Sequence, residues 1–180
     1  SAPFNPPLGD GHYFKSAPRR GDIVVFYDDK INKTNVTKRV VALPGESVQM
    51  KRGRLYINDI LVERREIEKL SYTSYRGIRR DVTVYEELLP GGVKHKIYEA
   101  TDRGSADNTR RIIVPSGEYF VMGDNRDESA DSRSSLGTVP EGFIFGRAEI
   151  VSLSFGDCIE AKETGCFLGL PIKRFFSGLE

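Results

Sequence analysis

Ile23-Val24-Val25-Phe26-Tyr27 and, after a polar loop from Asp28 to Asn35, Val36-Thr37-Lys38-Arg39-Val40-Val41-Ala42-Leu43 are the stretches that decide how this chain folds. The first is a run of β-branched and aromatic residues, which reads as a buried strand. The second has strand length and stops at Pro44-Gly45, a turn signal. Period-two alternation along it puts Val36, Lys38, Val40 and Ala42 on one face and Thr37, Arg39, Val41 and Leu43 on the other. A lysine therefore stands in an apolar row. Such a lysine either snorkels to the sheet edge or is held dry. A dry amine drops from about 10.4 toward about 7–8, where it can serve as a general base.

Outward from these two strands the pattern stays extended. Ser47 to Met50 and Leu55 to Asn58 flank Lys51-Arg52-Gly53-Arg54 as a hairpin, and Asn58-Asp59 marks a further turn before Ile60-Leu61-Val62. Glu63 to Leu70 is rich in helix formers and predicts a short helix. A second hairpin is expected for Val82–Leu89 and Val93–Tyr98 around Pro90-Gly91-Gly92, and Arg103 to Arg111 is a polar loop. Apolar strands resume at Ile112–Val114 and Tyr119–Met122, with one long or two joined strands over Phe143–Phe155. Ser1 to Arg20 is a proline-rich lead-in, and Phe167 to Leu179 reads as a short amphipathic tail. The fold class is mainly β: antiparallel sheets form a core from 1–62 and 113–180, an inserted smaller β lobe occupies 63–112, and the hairpin 47–62 lies at the join.

Composition narrows the function. The chain has 180 residues with 27 Lys plus Arg against 26 Asp plus Glu, a net charge of +1. That balance speaks against a nucleic-acid-coating surface, so no nucleic-acid partner is expected. Two His and two Cys are too few for a usual structural zinc site, and no metal or other cofactor is expected. No apolar run reaches the roughly 18–20 residues that cross a bilayer. Cys158 and Cys166 are close enough in sequence to bridge in an oxidising compartment, and the residues leave that open. Arg20-Gly21-Asp22 runs straight into the first strand and reads as a turn, not an adhesion tip.

The densest polar stretch is Gly123-Asp124-Asn125-Arg126-Asp127-Glu128-Ser129-Ala130-Asp131-Ser132-Arg133, directly after the Tyr119–Met122 strand. Charged groups mounted at a strand exit are a common place for binding and catalysis. Asp124 and Asp131, each a few residues from Arg126 and Arg133, can brace such a loop and fix one hydroxyl, Ser129 or Ser132. As a merely solvated loop it would do neither.

Three stretches in order, Pro18-Arg19-Arg20-Gly21-Asp22-Ile23-Val24-Val25-Phe26, Lys38-Arg39-Val40-Val41-Ala42-Leu43-Pro44-Gly45-Glu46 and Gly123 to Arg133, closely resemble the bacterial type I signal peptidases. These are membrane-anchored Ser/Lys endopeptidases that remove signal peptides from exported preproteins. The resemblance runs from about Pro18 to Phe155. It implies Lys38 as the general base, Ser129 as the hydroxyl that orients its amine, and Asp124, Arg126, Asp131 and Arg133 as the bracing charges. Asn35, Val36 and Thr37 match the strand beside which the extended substrate lies, although the family often has an acidic residue and Tyr-Ile there. The implied partners are signal peptides and, through the full-length protein, the membrane surface. The implied location is the bacterial inner membrane, with the catalytic part on the periplasmic or extracytoplasmic side.

One part of the family pattern is missing from the sequence. The family's nucleophile is a serine followed at once by methionine, whereas Met50 follows Gln49 and Met122 follows Val121. The expectation is a C-terminal fragment without nucleophile, oxyanion donors or anchor. It would be unable to cut a signal peptide alone and would be prone to self-association through the open groove beside Val36–Ala42. Two other readings compete. One is a Ser/Lys maturation protease of a conjugation or pilus system, or a self-cleaving repressor. The other is a catalytically silent, β-rich peptide-binding paralogue.

Overall fold

A computed structural model describes residues 17–28, 34–73, 78–148, 150–151, 166–167, 170–171 and 177–178. The chain divides into two compact units, 1–147 and 148–180. The central sheet of the first unit contains Ile23–Asp28 (β1), Thr34–Ala42 (β2), Glu118–Met122 (β10), Val139–Pro140 (β11) and Ile144–Ala148 (β12), in the order β11-β10-β2-β1-β12. β1 and β2 pair antiparallel from Ile23↔Arg39 to Asp28↔Thr34. The strand thus begins inside the stretch expected to be loop, because Asp28 supplies a partner for Thr34.

Both faces of this sheet are covered, which is why its strands read as nearly continuous apolar runs. Val24, Phe26, Val40, Tyr119 and Val121 pack on one side with Leu136, Val139 and Ile144, while Val36 and Leu43 lie against them partly buried. Val41, Ala42, Phe120 and Met122 face the other side. The alternation expected for β2 therefore holds through Val40 and fails after it. Ala42 joins Val41, and Leu43 crosses to the side of Val36 and Val40. The cause is a bulge: Phe120 opposes Ala42 and Val121 opposes Val40, so Val41 is the extra residue. Lys38 precedes the bulge and keeps its place between Val36 and Val40.

The second apolar layer comes from Ser47–Lys51 (β3), Arg54–Ile57 (β4), Ile60–Leu61 (β5) and Ile112–Ile113 (β9), ordered β5-β4-β3-β9. Val48, Met50, Leu55 and Ile57 turn inward onto Val41, Phe120 and Met122. The hairpin turns are as expected: Arg52 and Gly53 both have positive φ, as do Asn58 and Asp59.

Glu63–Thr73 (β6), Arg79–Leu89 (β7) and Val93–Glu99 (β8) form a third, meandering sheet. Here the expected helix over Glu63–Leu70 is overturned. The segment is strand throughout, paired with β7 from Glu63↔Leu88 to Thr73↔Arg79 with one irregularity between Glu66 and Glu68. Helix propensity differs by only tenths of a kcal/mol among these residues, and a long cross-strand register outweighs it. Near the end of the unit, Glu141–Phe143 form a 3₁₀ turn before β12, so strand starts one residue later than expected at Phe143.

In the second unit, Ile150–Val151 (β13) pairs with Ser177–Gly178 (β16) and Cys166–Phe167 (β14) with Leu170–Pro171 (β15), each antiparallel. The first 16 residues, Cys158 and most of the expected C-terminal tail lie outside the described residues. Among the described residues no helix is long and apolar enough to cross a membrane.

Candidate active site

Lys38 and Ser129 lie 91 positions apart in sequence and meet in the fold, with Lys38 Nζ donating to Ser129 Oγ at 2.8 Å. The strand supplies the lysine and the loop after β10 supplies the hydroxyl. Gly123 makes the approach possible, because a Cβ there would overlap Ser129 Oγ and come within 3.5 Å of Lys38 Nζ. Burial holds the Lys38 amine below its ordinary value. The charges of Asp131, Asp124 and Asp28 pull the other way, and Arg133 adds to the lowering. The lysine is half-buried, so the amine is shielded from water and still reachable.

The loop that carries Ser129 is tied down on three sides. Toward the central sheet, Arg39 donates to both oxygens of Asp124, each at 2.9 Å, and its third nitrogen reaches Gly21 O at 2.8 Å. Within the loop, Arg133 forks Asp131 at 2.9 and 2.8 Å and donates to Arg126 O at 2.6 Å. Asp131 also accepts the Gly123 N–H at 3.0 Å. Burial alone would raise the Asp131 carboxyl, but these donors and the Arg133 charge hold it below its usual range. Toward the third sheet, Tyr98 N donates to Asp124 O and Arg126 N to Tyr98 O, both at 2.9 Å.

Arg126 is wholly buried and forks Glu87 of β7 at 3.0 and 2.5 Å. His95, the register partner of Glu87 on β8, brings Nε2 to 3.3 Å from the same carboxylate. Farther out, Tyr72 Oη and Arg80 Nε donate to Glu128, while Asn125 Nδ2 donates to Tyr72 Oη at 2.6 Å. The β6–β7 arm thus touches the same loop. The first sequence stretch joins in as well: Arg20 donates to Val41 O at 2.7 Å and Glu46 at 2.6 Å, in a turn as expected for Arg20-Gly21-Asp22.

The structure therefore brings together Lys38, Ser129, Asp124, Arg126, Asp131 and Arg133. One bracing pair is the one that sequence proximity suggested, Asp131 with Arg133, whereas Asp124 pairs with Arg39 and Arg126 with Glu87. Ser132, the other candidate hydroxyl, is buried and accepts the Val121 N–H at 2.9 Å, which fixes backbone instead of meeting Lys38. Arg39 and Glu87 went unnoticed in the sequence. Arg39 had a signal, since a charged residue one step from Lys38 on a buried strand needs a partner. Glu87 had none beyond its place in a charged run.

Asn35, Val36 and Thr37 pair with Tyr27, Phe26 and Val25 of β1 on one side. On the other side β10 leaves β2 at Met122↔Arg39, so that edge of Asn35–Lys38 is not covered by another named strand among the described residues.

The family described as "Signal peptidase, peptidase S26" matches residues 10–153. A signal peptidase I of Rickettsia akari (strain Hartford) is 38% identical over 154 residues, covering 82% of this chain and 56% of the relative. That of Rickettsia typhi (strain ATCC VR-144 / Wilmington) is 38% identical over 156 residues, covering 82% and 57%. A crystal structure of a signal peptidase I from Enterococcus faecalis V583 aligns at 28% identity and TM-score 0.43, covering 74% of this chain and 97% of that one. The chain spans about half the length of the curated relatives it matches. With the family match extending over most of the chain and both motif-bearing strands inside it, the chain belongs to the signal peptidase family, peptidase S26.

Proposed function

We propose that this chain supplies the general-base half of a Ser/Lys endopeptidase that removes N-terminal signal peptides from exported preproteins. The observation that carries the reading is the 2.8 Å contact between Ser129 Oγ and a Lys38 amine whose proton affinity is lowered by burial. By accepting one N–H of the neutral amine, Ser129 restricts its rotation, so the nitrogen lone pair is confined to the two remaining staggered directions. In the reaction that lone pair takes the proton of an attacking serine hydroxyl as the hydroxyl adds to the scissile carbonyl. Lys38 then returns the proton to the departing amine. The attacking serine is not among the residues that the motifs identify in this sequence.

The substrate strand follows from the uncovered edge of β2. A signal peptide extended along Asn35–Thr37 adds by main-chain hydrogen bonds, which places its scissile bond next to Lys38. The catalytic part would act on the periplasmic or extracytoplasmic side of the inner membrane. Mutation tests the reading in the whole protein that carries this chain. Lys38→Ala is expected to lower kcat on a preprotein substrate by about 10²–10⁴-fold with substrate binding retained. Undiminished cleavage by that variant overturns it.

A further inference from the structure

The turn after β8 gathers three carboxylates that the Lys38–Ser129 pair does not use. One oxygen each of Glu99, Asp107 and Asp127 lies within 4.8 Å of the others. Asp127 is positioned by accepting the N–H groups of Ala100 at 2.6 Å and Thr101 at 3.0 Å, and Asp107 by accepting that of Gly104 at 2.6 Å. Gly104 lets the two converge: a Cβ there would stand 3.1 Å from Asp127 Oδ1 and 3.3 Å from Asp107 Oδ2.

The nearby cations are committed elsewhere. Arg64 forks Asp102 at 2.8 Å twice and touches Glu99 Oε2 only at 3.4 Å. Arg126 forks Glu87, and Arg133 forks Asp131. Glu99 itself is 4% exposed, and its Oε1 meets no hydrogen-bond donor among the described residues. A buried carboxylate oxygen without a donor, beside two further carboxylates, is costly unless a proton or a metal cation enters the group.

We propose that Glu99, Asp107 and Asp127 form a binding site for a divalent cation of the Ca²⁺ class. The donors are all hard oxygens, which disfavours zinc and copper. Three oxygens within 4.8 Å of one another are compatible with the flexible shell of Ca²⁺, in which oxygens at 2.3–2.6 Å from the ion stand up to about 5 Å apart. Counting only His and Cys in the sequence overlooked this cluster. Bound there, the cation would tie residues 99–107 to Asp127, two positions from Ser129. The site shares no residue with the Lys38–Ser129 pair, so either assignment can fail without the other.

The test is calorimetric titration of the EDTA-treated 180-residue chain with CaCl₂, at a pH above about 8. There Glu99, its carboxyl pushed up to about 8 by burial and by Asp127 and Asp107, becomes increasingly ionised. One saturable site is expected with a dissociation constant of about 10⁻⁴–10⁻³ M. Asp107→Asn and Asp127→Asn keep an acceptor for the backbone N–H groups, so both variants fold, and each should weaken binding at least about tenfold. Terbium luminescence excited through tyrosine, in a chain without tryptophan, gives a second readout of the same losses. Absence of saturable binding, or wild-type affinity in both asparagine variants, overturns the site.

Discussion

Arg39 grips Asp124 through two parallel N–H···O bonds of 2.9 Å, and this one fork joins the strand that carries Lys38 to the loop that carries Ser129. Alternation turns Arg39 to the face opposite Lys38, so the guanidinium sets the loop from the other side of the strand while the Asp124 charge still acts on the amine. Lysine at this position keeps the charge but cannot make two parallel bonds. Arg39→Lys is expected to lower the stability of the chain by about 1–2 kcal/mol, and Arg39→Ala by about 2–3 kcal/mol. A shift of the urea midpoint at constant slope would show it. Equal stability of the lysine variant would mean that the fork does not hold the loop.

Gly123 sets how close Ser129 can come to the strand. A methyl group there would overlap the serine side chain, and the backbone of β10 leaves no room to yield, since Phe120, Val121 and Met122 are all buried. Gly123→Ala is therefore expected to cost about 1–3 kcal/mol of stability through overpacking. It should also displace Ser129 from Lys38. Competitive acylation of the Lys38 amine across pH separates the two effects, because a merely destabilised loop leaves the labelling profile in place. A profile identical to wild type would show that Ser129 is not held by this contact.

The lowered Lys38 proton affinity predicts a pH dependence with a definite sign. Burial favours the neutral amine in the folded chain, while the unfolded chain holds its proton up to about 10.4. The unfolded state therefore binds more protons between the two values, and stability rises with pH across that window. Below the folded value the cost of burying the ammonium is present in full. Relative to Lys38→Met, wild type should gain stability as pH climbs from the folded value toward about 10.4 and change little beyond it. Parallel stability curves for the two proteins would show that burial does not perturb the amine.

The two strands around Lys38, both tight hairpins and the polar loop were legible because their signals are local: β-branched runs, Gly53 and Asn58-Asp59 at turns, charges at a strand exit. What escaped was settled by distant pairing. Glu63–Leu70 carries helix-forming residues, and only the register with β7 makes it a strand. The bulge at Val41 follows from how β10 lies against β2, which nothing in Val40-Val41-Ala42 announces. The same holds at the site. Lys38 and Ser129 were found through motif and alternation, but the partner of Arg126 sits 39 positions away on a strand that reads as one charge among many.

That partner, Glu87, gives the most demanding prediction. Glu87 and Arg126 are each 2% exposed. Burial works against the carboxylate, but the Arg126 charge, with His95 beside it, outweighs burial and lowers the Glu87 carboxyl to about 2. Its contribution is present above the unfolded value of about 4.3 and is lost as pH falls from there toward 2. The effect is on the order of 3 kcal/mol. Glu87→Gln leaves the guanidinium buried without its counter-charge and should cost about 3–5 kcal/mol at neutral pH. Glu87→Leu combined with Arg126→Met removes both charges and should recover much of that loss, with a flatter acid limb in its unfolding profile. The recovered protein should still fall short at the site. Arg126 offers its carbonyl to Arg133, Arg133 holds Asp131, and Asp131 takes the N–H of Gly123 under Ser129. A double variant that regains stability but labels Lys38 with an altered pH profile would show that the buried pair positions the loop. A double variant less stable than the single one would show instead that the pair is needed for folding itself.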